Sequence, residues 1–330
     1  MEHYAQARLE ALPARPSLKI TAIVAATAIA AIPAATVFAQ SNAAFTVVET
    51  GRGYERLQDA VNAIGNGSGT IAVAAGTHRQ CAVQEGGSIA YMAAARGKAV
   101  FDGVTCEGKA ALVLRGREAS VSGLVFRRMA VPDFNGAGIR LEQGDLTVAQ
   151  SWFLDSQQGI LSANDSDGQI VIDKSTFSGL GTCEGGGGCA HSVYIGDYGH
   201  LRITRSRFEK GTGGHYVKAR ASRVDVASSS FDDSAGRGTN YMIDLPAGAI
   251  GQITNNWFVQ GQNKENYSAF IAVGAEDKLH TSNGLQIAGN DARLAPSVRR
   301  NTIFVADWSG DNLDIGPNNL GQGLQGFESR

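Results

Sequence analysis

The chain has 330 residues, 42 of them Gly and 7 Pro, with 43% hydrophobic and 18% charged residues and a formal net charge of -2. Gly far above average usage, without a three-residue period or abundant Pro, excludes collagen, and an apolar content this high at so low a net charge excludes a disordered chain. The near-neutral balance gives nucleic acid no electrostatic surface to bind, so what remains is a folded protein with many tight turns between short strands.

At the N-terminus, Arg8, Arg15 and Lys19 precede an uncharged apolar run from Ile20 to Ala35, and Val37 and Ala39 put small residues where a signal peptidase cuts. The run is nearer a signal h-region than the ~20 residues of a membrane span. Residues 1–39 are therefore expected to be an export signal cleaved after Ala39, with an uncleaved N-terminal anchor as the other reading. Both put the body outside the cytoplasm, secreted or periplasmic, touching a membrane only through that segment.

Next, Leu57, Ala60, Val61 and Ile64 recur at helical spacing, which predicts an amphipathic helix from about Tyr54 to Ile64. It precedes a strand and turn at 70–77, where it would plug one end of a solenoid. Four cysteines follow, Cys81, Cys106, Cys183 and Cys189, an even number suited to two disulfides in an oxidising compartment. Proximity favours Cys81 with Cys106 and Cys183 with Cys189, although four cysteines allow three connectivities; zinc is the weaker reading, because Cys and His pairs lie too far apart in sequence.

One unit, a β-branched residue, four residues and then Phe, recurs six times: Val121–Phe126, Val148–Phe153, Ile172–Phe177, Ile203–Phe208, Val226–Phe231 and Ile253–Phe258. The Phe-to-Phe spacings are 27, 24, 31, 23 and 27, and Ile287–Ala292 keeps the frame without the Phe. Units this short bury an apolar face only by stacking on one another. Alternating stretches at 138–142, 192–195, 216–220 and 241–245 read as strands with one buried and one exposed face. The expected fold is a right-handed parallel β-helix over residues 45–305 with an internal Phe ladder, followed by a tail or cap at 306–330. Gly138, Gly159, Gly179 and Gly261 are taken as turn residues, and the Gly185–Gly188 run between Cys183 and Cys189 as an insertion walling a groove.

Tyr54–Val61 with Thr70, Ile71 and Ala75–Thr77 resembles the opening of secreted right-handed β-helix proteins of the pectate-lyase superfamily. Gly213–Ala221 with Asn240–Pro246 resembles a mostly uncharacterised bacterial branch of it, distantly similar to alginate lyase and chondroitinase B type polysaccharide lyases. That architecture hosts lyases, hydrolases, epimerases and adhesins.

Aligning Val193 over Val217 over Ile243 as buried positions makes Tyr194, Lys218 and Asp244 one outward ladder, preceded by Arg140. Alternation adds Tyr216 and Arg220 to the same face. A cation pair bordered by tyrosines and a carboxylate suits an acidic, uronate polysaccharide as partner. β-Elimination needs the sugar carboxylate neutralised, a base for the C5 proton and an acid for the departing oxygen. Lys218 is the candidate base, its pKa expected to be lowered by Arg220. Arg220 is the carboxylate fork, Tyr216 or Tyr194 the proton relay, and Arg140, Asp244 and His215 further substrate-binding groups. The resemblance implies a strand Lys as base, matched here by Lys218, and bound calcium as the cofactor, although the preceding coils carry no acidic ladder to hold it. Against this stands the ordinary alternative, a solvated Lys218–Asp244 ion pair. His191 and His215 share a buried register and read as a stacked pair, and Asn164–Gly168 as a plain turn rather than a calcium loop. The chain is expected to act as a monomer. Rival functions are a non-catalytic glycan-binding or structural module of the cell envelope and a C5 epimerase.

Overall fold

A computed structural model of the protein describes residues 43–186 and 188–330; the expected export segment at 1–39 lies outside them. The described chain is nearly all β, with a helix at Leu57–Ile64. Its strands stack into three sheets of twelve, ten and ten, here called sheets 1, 2 and 3, and within each sheet successive coils pair in parallel. The first two strands, Phe45–Val47 and Arg52–Tyr54, are the exception and pair antiparallel at the N-terminal edge. Among the described residues no helix is long and apolar enough to cross a membrane.

The short repeat produces this architecture because each coil hides its apolar residues against the coils above and below. Phe101, Phe126, Phe153, Phe177, Phe208, Phe231 and Phe258, all fully buried on sheet 2, stack with ring centroids 4.8 to 5.5 Å apart. Each such side chain contributes about 1.5–3 kcal/mol through burial. Phe101 escapes the repeat pattern because Arg96 stands where the other units have a β-branched residue. Where Ala292 takes the Phe position after Phe258, the space is filled from sheet 3 by Phe270 and Phe304. The corner before each Phe strand is held by a buried polar ladder. Ser151, Ser175, Ser206, Ser229, Asn256 and Asn290 each receive or pass a backbone N–H bond to the next coil at 2.9 to 3.2 Å.

The helix is one turn shorter than expected at its start, since Arg56 is extended, and it packs Leu57, Ala60 and Val61 into the first coil. Residues 314–329 add one strand to each sheet, so the solenoid runs on beyond residue 305. Both proximity pairings occur as disulfides, Cys81–Cys106 and Cys183–Cys189.

Two of the presumed turn glycines have another role. Gly138 and Gly159 lie within sheet 3 strands, and a Cβ at either would come within 2.7 Å and 2.9 Å of the rings of Phe153 and Phe177. They are glycine because the aromatic ladder occupies the space a side chain would need.

Candidate active site

Register on sheet 3 runs Val113, Arg140, Leu161, Tyr194, Lys218, Asp244, Ala272 and Ala306, one residue per coil on the outer face. Arg140, Tyr194, Lys218 and Asp244 therefore form a single column, as period-2 alternation requires. A second outer column carries His191 and His215, with ring centroids 4.9 Å apart, and Tyr241 stacks on His215 at 5.5 Å. The stacked pair exists, yet it lies beside the charged column and not in the apolar interior.

Tyr216 does not belong to this face. It is 1% exposed, packs edge-on against Phe208, and donates its hydroxyl to Asp233 Oδ1 at 2.9 Å. Asp233 is neutralised inside the solenoid by Lys264 at 3.1 Å and also accepts from Thr239. Burial, then the Asp233 charge, pushes the Tyr216 phenol well above its ordinary pKa, which removes it as a proton relay. The physical reason is the corner before the strand. Tyr216 and Val217, like Met242 and Ile243 one coil on, are consecutive residues that both point inward, so alternation fails there.

Lys218 and Asp244 are also more enclosed than a surface column would be, at 9% and 3% exposure. The cover is an acidic loop after the strand Ala269–Val273. Glu276 Oε1 accepts from Lys218 Nζ at 2.6 Å, its other oxygen binds Arg220, and Asp277 binds the second arm of the same guanidinium. Asp244 Oδ2 lies 3.2 Å from Lys218 Nζ and 3.4 Å from His215 Nε2. Arg220 Nε donates to the Tyr194 hydroxyl at 3.3 Å, and His191 meets the Tyr194 ring edge-on.

These contacts set the protonation states. Burial works against the Lys218 ammonium, but Asp244 and Glu276 outweigh it and hold its pKa above the ordinary lysine value. The expected lowering by Arg220 is thus overturned: the two carboxylates outnumber the one cation. Burial raises Asp244 to about 6, with Lys218 limiting the rise, so at neutral pH the pair is charged on both sides. Glu276 resists burial through Lys218 and Arg220 and stays below the usual carboxylate range. Burial and the Lys218 charge depress His191 to about 3, and burial with His191 puts His215 well below its ordinary value, so both imidazoles are neutral at pH 7.

Beside this cluster opens a groove of about 520 Å³, lined among others by Lys109, Asn135, Arg140, Leu161, Tyr194 and Arg220. Gln158 Oε1 and Asp244 Oδ1, on the same sheet face, are buried without a hydrogen-bond partner. Unsatisfied buried acceptors are rare enough to mark a place built for another group. The Gly-rich insertion approaches this region through Gly185, whose Cβ position lies 3.2 Å from Phe134 in the loop carrying the groove residues Asp133 and Asn135.

Calcium does not fit the residues at hand. Among the described residues no group of three His, Cys, Asp or Glu side chains gathers to hold a metal ion, and the carboxylates at the site are all ion-paired to Lys218 or Arg220. At 164–168, Asn164 Oδ1 accepts from the Asp197 amide and Asp165 from the Gly144 amide, and where a plain turn was expected the chain instead begins the strand Asp165–Asp173, with a register irregularity before Gln169.

The chain is thus a parallel β-helix with a cationic groove on one outer sheet face that already grips carboxylates. No family model and no curated protein matches it. Among solved structures it is similar to an alginate lyase from Paenibacillus sp. strain FPU-7, with a TM-score of 0.63 over 82% of this chain and 94% of that one at 17% identity. It is also similar to the ORF18 product of Geobacillus virus E2, with a TM-score of 0.51 over 83% of this chain and 57% of that one at 14% identity. At these identities the likeness is one of fold.

Proposed function

We propose that the protein is an exported polysaccharide lyase that cleaves an acidic, uronate-containing glycan by β-elimination. The observation that carries this is the seat of Glu276: a carboxylate held between the Lys218 amine and the Arg220 guanidinium, with the Tyr194 phenol on the same guanidinium. A uronate seated in place of Glu276 brings its acidic C5–H to an amine and its carboxylate to a fork. Support also comes from the fold shared with an alginate lyase, from the two disulfides, which suit an oxidising compartment, and from the resemblance of the N-terminal coils to the pectate-lyase superfamily.

Asp244 and Glu276 hold Lys218 protonated in the resting site, so it acts as base only after uronate displaces Glu276 and the ammonium passes its proton to solvent. The free amine then takes the C5 proton while Arg220, assisted by Arg140 along the groove, neutralises the sugar carboxylate. The C5 electron pair forms the C4–C5 double bond, the C4–O bond breaks, and Tyr194 protonates the departing oxygen. Asp244 and His215 lie behind Lys218 and position it. Arg220 does the neutralising that calcium does in the lyases the sequence resembles, so chelation is expected to leave turnover unchanged.

Lys218→Ala tests the assignment. General base catalysis supplies about 10²–10⁴-fold in rate, so unsaturated product measured by ultraviolet absorbance should fall by that factor while the folded spectrum is kept. Equal turnover by both proteins would remove Lys218 from the chemistry. Deuterium uptake at C5 without chain shortening would mark epimerisation instead.

A further inference from the structure

The segment Gly274–His280 does more than fill space beside the site. It leaves its own coil and crosses the neighbouring one, with amides bonded to the carbonyls of Leu245, Pro246 and Ala247 at 2.8 to 3.0 Å. Glu276 and Asp277 then reach Lys218 and Arg220, and His280 Nε2 meets Asp197 Oδ1 at 3.0 Å. Nothing apolar anchors it: Ala275 to Leu279 are all exposed, and Leu279 is 58% exposed. A segment held by a few backbone bonds and partly exposed ion pairs belongs to the least stable part of a fold, since such pairs add little and are screened by salt.

Resting on the lyase reading above, we propose that Gly274–His280 is a displaceable strap whose Glu276 and Asp277 occupy the carboxylate position of the substrate, making these two residues determinants of specificity for anionic glycans. The selectivity follows from what opening exposes. When the strap lifts, Lys218 keeps Asp244 and Arg220 keeps Tyr194, but the outward arms of the guanidinium lose both partners. A ligand carboxylate restores that bidentate contact, whereas a neutral sugar leaves charged donors unmatched. A uronate chain therefore competes with the strap on equal terms, and a neutral chain does not.

Trypsin reads the strap directly, because the Lys278–Leu279 bond lies within it. The full chain and its Glu276→Gln/Asp277→Asn variant are digested briefly and cleavage after Lys278 is followed by mass spectrometry. This is done alone, with hexamers of galacturonate, mannuronate or guluronate, and with the same hexamers as methyl esters. Binding of each hexamer is measured in parallel by calorimetry, on Lys218→Ala backgrounds so that nothing turns over.

The variant should be cut about tenfold faster than the wild type without ligand, as loss of the ion pairs populates the open form. An acidic hexamer should speed cleavage of the wild type, its ester should not, and the variant should bind the acid more tightly. Equal cleavage of both proteins overturns the strap whatever the activity. Weaker acid binding by the variant overturns displacement and makes the segment a clamp over bound glycan. Release in the variant with no acidic hexamer bound by either protein overturns the lyase reading and uronate displacement with it, and leaves only a charge-held gate.

Discussion

The neutral His191 imidazole has a stability consequence of its own. Its Nδ1 accepts the His215 amide at 3.0 Å, and burial first, then Lys218, lowers its pKa to about 3. The unfolded chain takes up a proton below about 6.5 while the folded one does not, so this contribution is fully present above that pH and is lost as pH falls toward 3. His191→Asn keeps an acceptor near the same place and cannot titrate. Thermal unfolding followed from pH 7 to pH 4 should therefore show a smaller drop in Tm for the variant than for the wild type; equal slopes would mean that His191 is protonated in the fold. Residue by residue, the sequence is a good guide where alternation holds and a poor one where it stops. Tyr194, Lys218 and Asp244 lie in one column because strands of period two leave no other face for them. Tyr216 turns inward because the corner places two inward residues in succession. Glu276 was invisible to any local pattern, since it comes from a loop 58 residues beyond Lys218.

Among the elements, the Phe ladder and the glycines facing it form one packed unit. Phe153 and Phe177 are stacked 4.8 Å apart at an interplanar angle of 5°, so the ring facing Gly138 is held between neighbours and cannot swing aside. Gly138→Ala should destabilise the protein by about 1–3 kcal/mol through overpacking, and Phe177→Ala by about 3–5 kcal/mol through the cavity it leaves. Denaturant midpoints measure both, and a neutral Gly138→Ala would show that the coil widens there. The repeat made the ladder legible from six phenylalanines. The glycines opposite were not legible, because a glycine that makes room for a ring looks the same in sequence as a glycine that makes a turn.

For the whole molecule, coils depend on their neighbours, so the ends need fastening. The helix and the Cys81–Cys106 disulfide both do this at the N-terminal end, the latter across 25 residues. Replacing both cysteines by Ser should lower stability by about 3 kcal/mol, as expected for a loop of that length. Cys183–Cys189 spans only 6 residues beside the groove, so its loss should affect glycan binding before Tm. Thermal unfolding with parallel glycan-binding measurements separates the two, and the opposite pattern would contradict these assignments. The most direct measurement for the molecule as a whole is the ultraviolet absorbance of unsaturated uronate released from alginate, pectate and glycosaminoglycans by the wild type and by Lys218→Ala. Release from at least one of these by the wild type, reduced about 10²–10⁴-fold in the variant, is the expected result; no unsaturated product from any of them would contradict a lyase.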